Sequence, residues 1–228
     1  MTKSFNIYGD DFIPTTGAHG TNISQQRPDR LDNDCLDFLK QISIQQDNPC
    51  AIDLGGGAGA QSLRMAKLGA DVTLIDLSIS ENATKELMSH KTKGNIQILS
   101  KDIRDIPDKD LPQKLDCIYS QRMINYLTYH ETLYLMQRLK NRATINARFY
   151  ISSGGLNTEY GASYSDKDKI VEQRFGHLSQ DMSKKHDIHA PVCLYLEEEL
   201  ITLLHKAGLK IIDSWTSDFG NPKIIATI

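Results

Sequence analysis

Cys50-Ala51-Ile52-Asp53-Leu54-Gly55-Gly56-Gly57-Ala58-Gly59 decides how the rest of the chain is read. Cys50 to Leu54 is a short apolar run with the length and composition of a strand, closed by a glycine cluster. Residues 61–68 then carry helical apolar spacing. Glycines placed between a strand and a helix let the backbone turn tightly and approach a ligand without side-chain interference, while the amides at the helix N-terminus face it. A strand, loop and helix of this kind binds a nucleotide-like ligand.

Working outward, short apolar runs alternate with amphipathic stretches. Val72-Thr73-Leu74-Ile75 reads as a second strand and residues 80–90 as a helix. Ile96-Gln97-Ile98-Leu99 reads as a third strand and Leu115-Asp116-Cys117-Ile118-Tyr119 as a fourth. A helix over 129–141 and a fifth strand, Phe149-Tyr150-Ile151-Ser152, follow. Alternating strands and helices imply a parallel sheet covered on both faces. Near the end, residues 197–207 have helical spacing through Leu200, Ile201, Leu203 and Leu204, and Gly208 suits the C-terminal cap. Strands over 209–215 and 223–228 are joined by Asp218-Phe219-Gly220-Asn221-Pro222, too short for a crossover helix, so this last pair is expected to be antiparallel.

The totals bound the function classes. At 228 residues, 39% hydrophobic and 24% charged, the chain suits one large globular domain. A formal charge of -3, from 26 basic and 29 acidic residues, provides no global field for a polyanion, which disfavours nucleic acid as a partner. Cys35, Cys50, Cys117 and Cys193 form no C-x-x-C pair and read as reduced thiols. The start, Met1-Thr2-Lys3-Ser4-Phe5, lacks an apolar signal core, and no segment approaches the roughly 18 apolar residues of a membrane helix. A cytoplasmic protein with no membrane partner is expected. Nothing in the sequence bears on oligomeric state.

Read alone, Gly55, Gly57 and Ala60 also satisfy the G-x-G-x-x-A form of the dinucleotide fingerprint. An NAD(P)-binding oxidoreductase or a non-catalytic nucleotide-binding module therefore stays open at the level of the loop. The surroundings separate the readings. Asp53 before the glycines makes the stretch resemble the D-x-G-x-G-x-G motif of class I S-adenosylmethionine-dependent methyltransferases. Asp76 closes the second strand in Thr73-Leu74-Ile75-Asp76-Leu77-Ser78, where a carboxylate can accept from ribose hydroxyls. Ser100-Lys101-Asp102-Ile103-Arg104-Asp105 resembles the family's adenine-binding loop, and residues 115–127 its segment after strand four. The resemblance runs from about Cys50 to Leu127, and the terminal hairpin matches too.

That resemblance implies a Rossmann-like, doubly wound α/β fold: a mostly parallel seven-stranded sheet of order 3-2-1-4-5-7-6, last strand antiparallel, with helices on both faces. It implies a single methyltransferase domain over 1–228, with an N-terminal cover and first helix over 1–48 and a variable, substrate-covering insertion over 154–191. The cofactor is S-adenosylmethionine and the product S-adenosylhomocysteine. Asp53, Gly55 and Gly57 are expected on the methionyl part, Asp76 on the ribose, and Asp102 with Ile103 at the adenine, with Gly56 and Leu77 also among the cofactor contacts. Ser120 and, as a lid, Tyr8 complete the expected cofactor contacts.

The activated methyl already sits on a sulfonium, so the protein mainly has to align a nucleophile behind it. An acceptor hydroxyl or ammonium needs a base, and histidine is the usual one. Of His130, His177, His186 and His189 in or beside the variable segments, His177 and His189 are singled out because both fall in the expected cover. His186-Asp187-Ile188-His189 brings two histidines but no third ligand, so no metal is expected. Arg122 suits an acceptor carboxylate or phosphate; Tyr126, Tyr160 and Tyr164 are candidates for an aromatic acceptor pocket. Ser120-Gln121-Arg122-Met123 stands where enzymes methylating base amino groups carry Asn/Asp-Pro-Pro-Tyr/Phe, and there is no Pro-Cys nucleophile for cytosine carbon. Both departures favour O- or N-methylation of a small molecule over the alternative of an RNA or protein substrate.

Overall fold

The expected alternation of strands and helices is what a computed structural model of the protein shows. It describes residues 29–228; Tyr8 and most of the N-terminal cover lie outside the described residues. Helix α1 (Arg30–Ile42) begins at Asp29, whose carboxylate accepts from Leu31 N while its own N–H donates to Asp32. This reciprocal cap satisfies two orphan amides of the first turn. Leu31, Cys35, Leu36 and Leu39 form the buried face of α1.

Strand β1 (Cys50–Leu54) leads into α2 (Ala60–Lys67), β2 (Asp71–Asp76), α3 (Glu81–Ser89) and β3 (Ile96–Ser100). Strands β1, β2 and β3 pair in parallel. Leu63, Leu74 and Leu87 are nearly unexposed at the centre of a cluster that also holds Ala58 and Ala83. Burying each such leucine stabilises the fold by about 1.5–3 kcal/mol. Strand β4 (Leu115–Gln121) is followed by α4 (Tyr129–Lys140), opened by a capping box of Thr128 and Glu131. Then come β5 (Ala143–Ser152), α5 (Gln180–His186), α6 (Glu197–Lys206), β6 (Lys210–Thr216) and β7 (Pro222–Thr227).

The sheet has seven strands in the order β3-β2-β1-β4-β5-β7-β6, as expected, with β7 antiparallel to β5 and to β6. Gly208 caps α6 at φ +83, a conformation that favours glycine. Strand β5 starts at Ala143, well before the expected Phe149; its first half is partly exposed and carries the polar Thr144, Asn146 and Arg148, so it does not read as a buried strand. Among the described residues no helix is long and apolar enough to cross a membrane.

The described residues gather into two compact units, 29–119 and 120–228. In the second unit, residues 154–191 are more than a connection. Tyr164 is buried; its hydroxyl donates to Val192 O at 2.5 Å and accepts from Gly176 N at 2.9 Å. Around it pack Leu178, Val192 and Leu194, with Tyr126 and Tyr160 at the edge. Arg174 fastens the segment to α6: its guanidinium meets Glu199 at 2.7 and 3.0 Å and donates to the carbonyls of Leu194 and Lys169. These bonds satisfy backbone groups that a loop would otherwise leave to water.

Candidate functional site

In the first unit the glycine loop is shaped by contacts on both sides. A Cβ on Gly56 would lie 2.2 Å from the Leu74 side chain and 2.7 Å from Asp53 Oδ2, so no side chain fits between the loop and the strands beneath it. Gly57 takes φ +56, which turns its N–H onto Asp76 Oδ2 at 2.9 Å.

Asp53 lies in the buried run that closes β1, with 1% exposure. Ser62, one turn into α2, donates its hydroxyl to Asp53 Oδ2 at 2.7 Å, whereas Oδ1 is buried with no partner among the described residues. Burial pushes this carboxyl up to about 7, with the neighbouring charges of Asp76 and Asp32 adding to the effect and the Ser62 bond opposing it. A buried acceptor with nothing to accept from is what a ligand donor, such as an ammonium, would complete. Behind it, Tyr119 donates to Asp32 Oδ1, and Gln61 donates to the Asp32 carbonyl at 3.2 Å, which ties α1, α2 and β4 together.

Asp76 accepts from Gly57 N on one oxygen and Ser78 N, at 3.1 Å, on the other. Each oxygen keeps a lone pair, so the carboxylate can still accept two hydroxyls. Leu77 beside it is 51% exposed, an apolar surface at the end of β2. Ile103 is buried. Asp102 is already engaged within its own loop. Arg104 holds its carboxylate through the backbone N–H, Nε and Nη2, at 2.5 to 3.0 Å, and these hydrogen bonds hold the acid below its usual range. Adenine recognition by Asp102 would have to compete with Arg104.

In the second unit, Ser120 is fully buried and its hydroxyl has no partner among the described residues; the same holds for Ser152 and Ser153. Arg122, just past β4, sits at φ +55, outside the region L residues favour, with its N–H on Ser152 O at 3.0 Å. Its half-buried guanidinium pairs with no carboxylate among the described residues. Tyr160 feels that charge, which works against the burial that pushes its phenol up. Its hydroxyl donates to Asn221 Oδ1 at 3.4 Å, the oxygen that also receives Gly155 N. Asn125 accepts from Gly154 N and, through its carbonyl, from Cys193 N. Of the three tyrosines, Tyr164 spends its hydroxyl inside the fold and exposes 1% of its surface, while Tyr126 and Tyr160 stand at the margin of that cluster.

His177 and His189 are brought together: His177 Nδ1 meets the His189 carbonyl at 3.1 Å. His189 lies between Ser183 Oγ, 3.0 Å from Nδ1, and Asp187 Oδ1, 2.9 Å from Nε2. Both rings are exposed. His186 sits edge-on to Tyr160 at 5.1 Å and faces Glu159. Ser62, Arg104, Asn125 and Asn221 escaped the sequence reading, because no spacing marks a residue whose role is to hold another side chain or a loop's backbone amide. Only Arg104, two places after Asp102, had a local signal.

With this geometry in hand, the comparisons place the chain. The methyltransferase domain family matches residues 46–211, and the chain belongs to that family. It is an S-adenosylmethionine-dependent methyltransferase of the class I fold. Among solved structures, an S-adenosylmethionine-dependent methyltransferase from Mesorhizobium loti superposes with a TM-score of 0.62 at 15% identity, covering 87% of this chain and 98% of that one. The 1,6-didemethyltoxoflavin-N1-methyltransferase of Burkholderia thailandensis gives 0.60 at 13%, over 88% and 79%. The mitomycin 7-O-methyltransferase gives 0.57 at 16%, over 86% of this chain and 54% of that one, so the chain spans about half its length. No curated protein sequence matches significantly.

Proposed function

We propose that this chain transfers the methyl group of S-adenosylmethionine to an oxygen or nitrogen of a small-molecule acceptor that carries an anionic group. The observation that carries the acceptor reading is Arg122, half-buried, held at φ +55 and paired with no carboxylate among the described residues. An unpaired guanidinium away from bulk water is costly, and strained backbone persists where function needs it. A carboxylate or phosphate on the acceptor would satisfy both terms. Two relatives named for methylation at N1 of 1,6-didemethyltoxoflavin and at 7-O of mitomycin support a small acceptor.

In this reading Asp53 Oδ1 receives the cofactor's ammonium, Gly55, Gly56 and Gly57 make room for its methionyl part, and Asp76 accepts the ribose hydroxyls. The cofactor supplies an electrophilic methyl group on sulfur. Tyr126 and Tyr160 offer ring surface to the acceptor. Where the acceptor atom loses a proton, His189 is the base, in preference to His177: Asp187 takes one ring N–H and leaves Nδ1 as the accepting nitrogen.

The test pairs free acids with their methyl esters in a panel of hydroxyl and amine acceptors, reading release of S-adenosylhomocysteine by the wild type and by Arg122→Met. Turnover of acids, with KM raised about tenfold or more by R122M, is expected. Esters turned over as well as acids, or an unchanged KM, would overturn the assignment.

A further inference from the structure

Three sulfurs meet in the core of the first unit, and the methyl-transfer reading uses none of them. Cys35 on α1 and Cys117 on β4 bring their Sγ atoms to 3.5 Å, and Met65 Sδ on α2 lies 3.9 Å from Cys35 Sγ. All three residues are fully buried. Their positions are set by packing: Cys35 belongs to the same buried stripe as Leu31, Leu36 and Leu39, and Met65 to the buried face of α2.

We propose that Cys35, Cys117 and Met65 form a binding site for a soft, thiophilic d10 cation, of which copper(I) is the representative. Two thiols and a thioether are the donor set that selects such ions over the harder divalent metals. Among the described residues no three His, Cys, Asp or Glu side chains come together for a metal, and here the third donor is methionine. Metal–thiolate bonds of about 2.3 Å place the sulfurs of a trigonal centre about 4.0 Å apart. The observed 3.5 and 3.9 Å are therefore within about half an ångström of a loaded site. A disulfide needs about 2.05 Å, so the same thiols would have to close by roughly 1.5 Å, through a well-packed core.

The binding step is balanced without any oxidant. Two S–H bonds give up their protons to solvent, two copper–thiolate bonds form, Met65 donates a sulfur lone pair, and no electron is transferred. Burial, with Cys117 adjacent, pushes the Cys35 thiol well up, so without a cation it stays protonated and unreactive. A bound cation would join α1, α2 and β4, the three elements that Asp32, Gln61 and Tyr119 already link behind the glycine loop.

The experiment is an anaerobic competition in which reduced protein takes copper(I) from its coloured bicinchoninate complex. The wild type is expected to remove one equivalent per chain and to melt at a higher temperature when loaded. Cys35→Ser and Cys117→Ser should lose this uptake, Met65→Leu should weaken it by roughly tenfold, and a variant with Cys50→Ser and Cys193→Ser together should keep it. Because buried polar substitutions can unfold a core, X-ray absorption on the loaded wild type gives a second readout: a shell of three sulfurs and no nitrogen or oxygen. Copper left with the chelator, uptake that survives C35S, a shell lacking the third sulfur, or loss of both thiols as a disulfide without retained metal would each overturn the site.

Discussion

Ser62 gives its hydroxyl to one oxygen of Asp53 at 2.7 Å and leaves the other buried without a partner among the described residues. Half of this carboxylate is thus satisfied by the fold and half is held open. With its proton retained up to about pH 7, Asp53 behaves unlike a surface acid.

In the folded chain Asp53 holds its proton up to about pH 7, whereas in the unfolded chain it releases it near 4. Between those values the folded state binds the extra proton. Stability from this group is therefore fully present below about pH 4 and is lost as pH rises to about 7. Asp53→Asn should remove that slope and be more stable than the wild type at pH 8, by roughly 2–4 kcal/mol. Cofactor affinity should run the other way in the wild type, rising as Asp53 ionises. Melting curves and titrations with S-adenosylhomocysteine from pH 5 to 8.5 check both; parallel pH profiles for wild type and D53N would refute the assignment.

Asp76→Ala should weaken S-adenosylhomocysteine binding by about 30-fold or more, the size of two hydroxyl bonds to a charged acceptor. It also strips Gly57 N of its acceptor, so Asp76→Asn, which keeps an oxygen toward the loop, separates the two effects. Calorimetry on both variants, with circular dichroism to confirm folding, decides. Unchanged affinity in folded D76A rules out the ribose role.

Arg104 and Asp102 should have opposite effects on the cofactor. If Asp102 reads the adenine amine, Arg104→Ala frees the carboxylate and S-adenosylhomocysteine binds about threefold more tightly, while Asp102→Ala binds more weakly. Should R104A bind more weakly too, Arg104 rather than Asp102 faces the cofactor.

Arg174 is 4% exposed and meets Glu199 through two nitrogens. Arg174→Met leaves the largely buried Glu199 carboxylate with only Leu196 N of the present donors and takes this donor from the carbonyls of Leu194 and Lys169, and should cost about 3–5 kcal/mol. Adding Glu199→Gln should recover part of that loss. Urea unfolding of the single and double variants measures it, and a loss under 1 kcal/mol would show the pair to be solvated.

The fold was legible in the sequence to an unusual depth because its signals are local. A buried strand, a glycine turn and an amphipathic helix each declare themselves within ten residues, and their repetition gave a parallel sheet with a terminal hairpin; the strand order came from the family resemblance. Asp53, Asp76 and the glycines were legible for the same reason, standing at strand ends where backbone geometry dictates residue type. The first half of β5 was not, since Thr144, Asn146 and Arg148 break the apolar run by which a buried strand is recognised, and the pairing with β7 begins only at Arg148.

What the sequence by itself determined, then, is the order of elements, the glycine loop and the acids flanking it. Tertiary structure alone decided which partners those acids have. Ser62 on Asp53, Arg104 clamping Asp102, Tyr164 closed within its own segment and the three sulfurs of Cys35, Met65 and Cys117 all depend on side-chain direction and packing depth. The sulfur pair joins positions 82 residues apart, beyond any local window, while Ser62 and Arg104 stand near their acids in sequence but spacing does not say where their side chains point. Periodicity says which face of an element is buried, but only the packed neighbours say what each buried group meets there.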